Sequence, residues 1–293
     1  MKTIFCDWGT TNLRAYLSED GQVIQTYVAS TGLRESRELG FGNVMHKVLD
    51  HFQVASDTPI RRSGMVGSKN GWKEAPYAST PADAQAIMSQ SATVEDFPDL
   101  RIISGVCHEM EDGRHDVMRG EEVQVLGLLE KHPEAKTICL PGTHSKWVDV
   151  RDQAIQRFST WMTGDFFRCL TENSIFQEQI TSQAFHESAF LEGVSSSESA
   201  GHMLNTIFHL RTDYLFSKVS SDEFYSYLSG FLIGQEIKSA AQRRSDVYLC
   251  GAGALMDYYA FALEFYGICS TRVCAEETTV LGLGCFCEDN RDA

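Results

Sequence analysis

With 293 residues, 43% of them hydrophobic and 22% charged, the chain is long enough for two globular domains with separate cores and lies outside disordered and fibrous compositions. Its formal charge of −15 argues against nonspecific binding to nucleic acid or to an anionic membrane surface. No apolar run approaches the roughly 18 residues of a membrane-spanning helix, and the N-terminus lacks the basic and apolar stretches of a signal peptide, so a cytoplasmic protein is expected.

The first elements read as three short strands at residues 2–6, 13–17 and 23–28, an antiparallel meander with Ser18, Glu19, Asp20 and Gly21 in its second turn. Residues 41–52 then place Phe41, Val44, Met45, Val48, Leu49 and Phe52 at helical spacing. A brief strand is expected at 61–66, leading into a glycine-containing segment at 64–73, and another at 102–106. A helix follows at 121–129, with Glu121 and Glu122 in its first turn where they complement the helix dipole. A second meander is read at 136–140, 146–150 and 154–159. Residues 160–238 look mostly helical, including a helix at 224–241. A buried strand at 247–250, a helix from the glycines at 251–253 to about 266, a short strand near 271–274 and a last helix at about 277–287 complete the chain.

One pattern thus occurs twice: an apolar strand, a Gly-Thr turn and two further strands. Gly9 aligns with Gly142 at an offset of 133 residues and Ile24-Gln25 with Ile155-Gln156 at 131, so the copies are expected to differ by two residues in a turn. A tight glycine turn presents backbone N–H and Thr hydroxyl donors together, which suits phosphate oxygens. Two such turns, one per half, predict a duplicated α/β fold with a cleft that clamps a phosphate chain. Cations for a polyanionic substrate occur within the glycine-containing segments as Arg14, Lys69, Lys73, Arg119 and Lys146.

Nine cysteines without a CxxC pair do not suggest a disulfide framework, and neither Cys285-Phe286-Cys287 nor Cys107-His108 has a partner at zinc-site spacing. The pattern G-x-G-x-x-G fails at Met256, and no P-loop is present.

The strings DWGTTNLRAYL (7–17), GMVGSKNGWKEAPY (64–77), VMRGEE (117–122), LPGTHSKWV (140–148) and FLIGQE (231–236) resemble the 2-dehydro-3-deoxygalactonokinase (2-keto-3-deoxygalactonate kinase) family over nearly the whole chain. The resemblance implies duplicated ribonuclease H-like domains of the actin-like ATPase superfamily, also that of sugar kinases and Hsp70, around an interdomain cleft. It implies a sugar-binding domain at 1–128 and a nucleotide-binding domain at 129–293, with the last helix packing back on the first domain. The implied reaction is phosphorylation of the terminal (C6) hydroxyl of 2-dehydro-3-deoxy-D-galactonate by ATP and Mg²⁺, in D-galactonate catabolism. Where the family pattern has Glu after Met-Thr-Gly, this chain has Met162-Thr163-Gly164-Asp165, which keeps the carboxylate but shortens its reach.

On this reading Asp7 organises the metal and its waters, because hard oxygen ligands hold Mg²⁺ and phosphate oxygens complete its shell; the alternative is a carboxylate that accepts turn N–H groups. Gly9, Thr10, Thr11 and Asn12, with Gly142, Thr143, His144 and Lys146, serve the phosphates, and Gly251, Ala252 and Gly253 let the backbone approach adenosine. Glu121 is the first candidate to accept the hydroxyl proton, with Asp116 and Asp165 in reserve. Asn70, Trp72, Lys73 and Tyr77 suit a sugar acid, an aromatic face covering the carbon chain and Lys73 meeting the carboxylate. Trp72 can equally be a core anchor. Arg14 and Arg119 are further carboxylate or phosphate contacts. Other readings are a kinase for 2-dehydro-3-deoxygluconate or another sugar acid, and a non-catalytic nucleotide switch. The oligomeric state stays open, a homodimer included.

Overall fold

The computed structural model describes residues 1–198, 201–241 and 244–287. The chain opens on β1 (Lys2–Trp8), β2 (Leu13–Glu19) and β3 (Gln22–Ala29), paired antiparallel in sequence. Only Asp20 and Gly21 separate β2 from β3, and both take positive φ, the two-residue turn whose twist matches its flanking strands. After α1 (Leu33–Leu39) and α2 (Phe41–Phe52), β4 (Ile60–Ser63) lies parallel to β1. Helix α2 buries Val44, Met45, Val48, Leu49 and Phe52 in a core shared with Ile4, Cys6 and Trp8, which alternation along β1 turns to one face. Thr3, Phe5 and Asp7 therefore share the opposite face.

Next come β5 (Ala78–Ser79), α3 (Ala84–Ser89), β6 (Ala92–Val94), β7 (Phe97–Ile102), β8 (Val106–Glu109), β9 (His115–Met118) and α4 (Glu121–Lys131). The second meander follows as β10 (Thr137–Leu140), β11 (Ser145–Arg151) and β12 (Ala154–Trp161). Then come α5 (Thr163–Asn173), α6 (Glu187–Glu198), α7 (Met203–Leu215), α8 (Phe224–Ala240), β13 (Asp246–Gly251), α9 (Ala254–Phe265), β14 (Cys269–Cys274) and α10 (Ala275–Gly284).

The strand orders are β3-β2-β1-β4-β7-β6, β12-β11-β10-β13-β14 and β5-β8-β9. The two larger sheets share one plan: a meander whose first strand carries a parallel neighbour, β4 beside β1 and β13 beside β10. Every strand end from Trp8 to Ala29 has its counterpart 132 residues later, between Leu140 and Trp161. The expected two-residue difference between the copies is therefore absent. Gly9 is the first residue of its turn whereas Gly142, after Pro141, is the second, and Asp152-Gln153 form a positive-φ pair where the first copy has Asp20-Gly21.

Two further expectations are corrected. The strand expected at 61–66 stops at Ser63, because Gly64 takes φ +93° and turns the chain into a short 3₁₀ segment, Met65–Gly67. The strand expected at 102–106 is two strands, with β7 ending at Ile102 and β8 beginning at Val106.

Two compact units emerge. One comprises Met1–Lys136, Val148–Phe158 and the chain from Cys274 onward; the other comprises Thr137–Trp147 and Ser159–Val273. In the first unit α10 crosses α4 with backbone against backbone. A Cβ on Gly127 would lie 1.9 Å from the Thr278 carbonyl oxygen, and one on Gly282 would lie 1.9 Å from that of Val123. In the second unit α6, α8 and α9 cover the sheet through Phe190, Val194, Ile233, Ile237 and Tyr259. No helix among the described residues is long and apolar enough to cross a membrane.

The crossing gives a paired prediction within α10. Gly282→Ala should cost ~1–3 kcal/mol through overpacking against α4. Gly284→Ala, whose Cβ meets nothing within 4 Å, should be neutral or stabilising by up to ~1 kcal/mol. Urea unfolding midpoints at unchanged m-value measure both, and equal midpoints would contradict the packing described.

Candidate active site

Asp7 sits near the end of β1, opposite Arg14 on β2 and beside Ser63 on β4. The Arg14 guanidinium lies 3.7 Å from its carboxylate. Trp8 follows and the turn at 9–12 closes through the Gly9 N–H donating to the Asn12 carbonyl at 2.9 Å. Thr10, Thr11 and Asn12 remain exposed, and the Asn12 Nδ2 donates to Thr11 Oγ1 at 3.3 Å. The turn is backed from outside: Gly32 packs so closely that a Cβ there would sit 2.1 Å from the Thr10 carbonyl oxygen.

Glycine brings two other segments to the same place. Gly64, at the end of β4, approaches the backbone of Trp8, with a Cβ position 2.7 Å from its carbonyl oxygen. Gly120, at φ +109°, opens α4 with its Cβ position only 3.5 Å from the Cα of Gly64. Neither conformation suits an L side chain, and at Gly64 there is no room for one. Glu121, the first residue of α4, is thereby set beside the end of β1.

The carboxylates at this helix start fold back on their own backbone. Glu121 Oε2 accepts the Arg119 N–H at 3.0 Å and Glu122 Oε2 accepts the Gly120 N–H at 2.7 Å. Burial pushes the Asp7 carboxyl above its usual range; the Arg14 charge opposes this and the Glu121 charge adds to it. Glu122 points into the protein, fully buried, and burial followed by repulsion from Glu121 pushes it up to about 8.

Arg119 joins this cluster to the segment at 70–77. Its Nη2 donates to the Ala75 carbonyl at 2.8 Å and its guanidinium lies over the Tyr77 ring, 4.3 Å from the centroid. Its Nε and Nη1 are buried without a hydrogen-bond partner. The Asn70 carbonyl accepts from Arg37 Nε at 2.8 Å, and Lys73 and Tyr77 are exposed.

Of the two roles left open for Trp72, the contacts present are those of a core anchor. Its ring stacks on Phe41 at 5.8 Å and meets Trp8 and Phe97 edge-on. Arg62 is fully buried between Trp8 and Trp72, with its guanidinium carbon 4.8 and 4.3 Å from the two ring centroids. Burial lowers its pKa to about 9. Asp116 lies on β9 opposite His108, its Oδ1 accepting the Val117 N–H.

In the second unit the turn at 141–144 follows β10, and the segment 251–253 begins on the last residue of the adjacent parallel strand β13. Thr143, His144, Ala252 and Gly253 are exposed. The start of α5 presses on the turn: a Cβ on Gly164 would lie 2.5 Å from the Gly142 carbonyl oxygen, and the Asp165 N–H donates to the Thr143 carbonyl at 2.9 Å. Asp165 also pairs with Arg168 at 2.6 Å and lies 3.8 Å from His144 Nε2. Lys146 is buried, its Nζ donating to the His144 carbonyl at 3.1 Å.

Sequence reasoning passed over Gly32, Gly64, Gly120 and Arg62 as determinants of this geometry. A Trp on either side of a strand Arg is a visible signal only once β4 is known to lie beside β1. Glu236 stood in view within FLIGQE without an assigned contact.

A model of the 2-keto-3-deoxy-galactonokinase family matches residues 7–285. The chain is 35% identical to the probable 2-dehydro-3-deoxygalactonokinase of Rhizobium meliloti strain 1021 over 94% of each chain. It is 31% identical to the 2-dehydro-3-deoxygalactonokinase of Escherichia coli K12, over 96% of this chain and 95% of that one. The crystal structure of a candidate 2-dehydro-3-deoxygalactonokinase from Sinorhizobium meliloti superimposes with a TM-score of 0.90 at 33% identity, covering 96% of this chain and 97% of that one.

The Glu122 environment predicts a pH-dependent stability. Its folded-state pKa of about 8 exceeds the ordinary 4.5, so between these values the folded protein keeps a proton that the unfolded chain releases. Stability falls as pH rises through that window, by up to ~1.4 kcal/mol per pH unit, and levels off above it. Glu122→Gln should remove this slope. Urea unfolding of both proteins from pH 5 to 9 measures the difference, and a pH-independent difference would contradict the buried, neutral acid.

Proposed function

The chain belongs to the 2-keto-3-deoxy-galactonokinase family, and from that premise we propose that it transfers the γ-phosphoryl group of ATP to the C6 hydroxyl of 2-dehydro-3-deoxy-D-galactonate. The product is 2-dehydro-3-deoxy-6-phosphogalactonate, and the reaction serves D-galactonate catabolism. Its fold is the duplicated ribonuclease H-like arrangement of the actin-like ATPase superfamily, each larger sheet carrying the meander with a parallel neighbour.

The observation that carries the mechanism is the convergence of Asp7, Glu121 and Arg119 where Gly64 and Gly120 let three backbones meet. In the transfer the C6 oxygen forms a bond to the γ-phosphorus, the bond from that phosphorus to the β,γ-bridging oxygen breaks, and ADP leaves with the electron pair. The hydroxyl proton passes to Glu121, whose Oε2 is steadied by the Arg119 N–H. Thr10, Thr11 and Asn12 turn their donors to the transferred group. Gly142 and Thr143 hold phosphate oxygens, and the glycines at 251 and 253 leave the adenosine face open.

Asp7 suits a Mg²⁺ ligand on the chemistry of its surroundings: burial, opposed by the Arg14 charge and reinforced by the like charge of Glu121, disfavours its ionised form, a cost that a divalent cation would remove. Among the described residues no group of three or more His, Cys, Asp or Glu could hold a metal ion, so phosphate oxygens and water would complete the shell. When bound, the ion would neutralise charge on the phosphates.

For the sugar acid, Lys73 and the exposed face of Tyr77 flank the segment that Arg119 secures. Arg119 holds this segment through the Nη2 bond to the Ala75 carbonyl, while its Nη1 packs against Gly67, and Arg14 offers a guanidinium beside Asp7.

In a coupled ADP-release assay the protein should turn over only with the sugar acid present. Glu121→Gln should lower kcat by ~10²–10⁴ with little change in either KM, while Asp116→Asn should stay within a few-fold of the parent. Folded Glu121→Gln protein with unchanged kcat would remove Glu121 as the proton acceptor.

A further inference from the structure

Glu236 is 1% exposed in the second unit, at a depth where carboxyl groups are rare unless something retains them. Its Oε1 accepts the Trp147 indole N–H at 2.8 Å and its Oε2 accepts the Tyr259 hydroxyl at 2.8 Å. Since the single Tyr259 proton goes to Glu236, the 2.8 Å contact between Tyr259 and Ser145 has Ser145 Oγ as donor. The Thr163 hydroxyl also donates to Glu236. Burial raises the Glu236 pKa, and these donors oppose the rise.

The donors are not a random sample of the core. Ser145 and Trp147 begin β11, directly after the turn at 141–144. Thr163 begins α5, one residue before Gly164, which presses on the Gly142 carbonyl, and two before Asp165, whose N–H holds the Thr143 carbonyl. The carboxylate thus ties together the strand leaving the turn and the helix that backs it. An acceptor-only group is needed, because every contact named is a donor. An amide in its place would set an NH₂ against Trp147 or Tyr259, and a Tyr259 hydroxyl turned away from it would reverse the bond to Ser145.

We propose that Glu236 is a positioning residue for the turn at 141–144, fixing through Trp147, Tyr259 and Thr163 where Gly142 and Thr143 present their donors to the nucleotide phosphates. This rests on the reading of that turn as a phosphate holder.

The test is steady-state kinetics of the full-length protein with ATP and the sugar acid varied in turn, for Glu236→Gln, Tyr259→Phe, the double variant and Gly164→Ala, each checked for folding by its thermal transition. Glu236→Gln should raise KM for ATP by about tenfold or more, the scale of a lost hydrogen bond to a charged group, while KM for the sugar acid stays within about twofold. The double variant should be no worse than Glu236→Gln, since both substitutions break one chain of contacts. If Glu236→Gln does not fold, Tyr259→Phe reads the same link through Ser145 and should raise KM for ATP several-fold. A lowered melting temperature with both KM values unchanged would reduce Glu236 to a structural acid and overturn the proposal, as would equal changes in the two KM values. Gly164→Ala separates the two failures. If it raises KM for ATP and neither Glu236→Gln nor Tyr259→Phe does, positioning by Glu236 is wrong and the phosphate turn stands. If it leaves KM for ATP unchanged, the turn itself does not hold the nucleotide, and the proposal falls with it.

Discussion

Backbone meets backbone without an intervening side chain at the ends of β1 and β4, and the candidate site of the first unit depends on that contact. Gly64 lies against Trp8 and Gly120 lies against Gly64. A methyl group at Gly64 would overlap the Trp8 carbonyl, and positive φ at both glycines excludes most other residues. Because of this approach the end of a strand, the start of a 3₁₀ turn and the start of α4 occupy one small volume. The Glu121 charge then acts on the Asp7 carboxyl, although 114 positions separate them in the chain. In the second unit Gly164 makes a like approach to Gly142.

Electrostatics gives this geometry its chemical character. Asp7 is disfavoured as an anion, with Arg14 across the ladder in partial compensation. Glu122, one residue from Glu121, is turned inward and held neutral by burial. Arg62 adds a buried cation between Trp8 and Trp72, fixing the residue before the turn at 9–12 against the segment at 70–77.

Much of the fold was legible because it rests on local periodicity. The two meanders, the helical spacing from Phe41 to Phe52 and the glutamate-led start of α4 all follow from patterns a few residues long. The errors arise where long-range packing decides. Gly64 looks like a strand residue until its approach to Trp8 forces positive φ, and the run at 102–106 is mostly apolar although the strand breaks inside it, where the buried Ser104 donates to the Ile87 carbonyl. The two-residue mismatch inferred between the repeats came from aligning glycines that occupy different places in equivalent turns. For the site, residue types and their neighbourhoods could be named from the motifs, because glycine turns and helix starts are local features. Which face Trp72 presents, what retains Glu236 and how Arg119 connects Glu121 to Tyr77 are set by contacts between distant segments, and no spacing in the chain encodes them.

The central claim is that the acid at the start of α4 takes the acceptor proton while Asp7 serves the metal and phosphates. A crystal structure with 2-dehydro-3-deoxy-D-galactonate, Mg²⁺ and a non-hydrolysable ATP analogue tests it most directly. The account predicts a Glu121 carboxylate oxygen within about 2.6–3.2 Å of the C6 hydroxyl and Asp7 facing the metal. A ternary complex in which Asp116 or Asp165 is the carboxylate nearest that hydroxyl, with Glu121 out of reach, would contradict it.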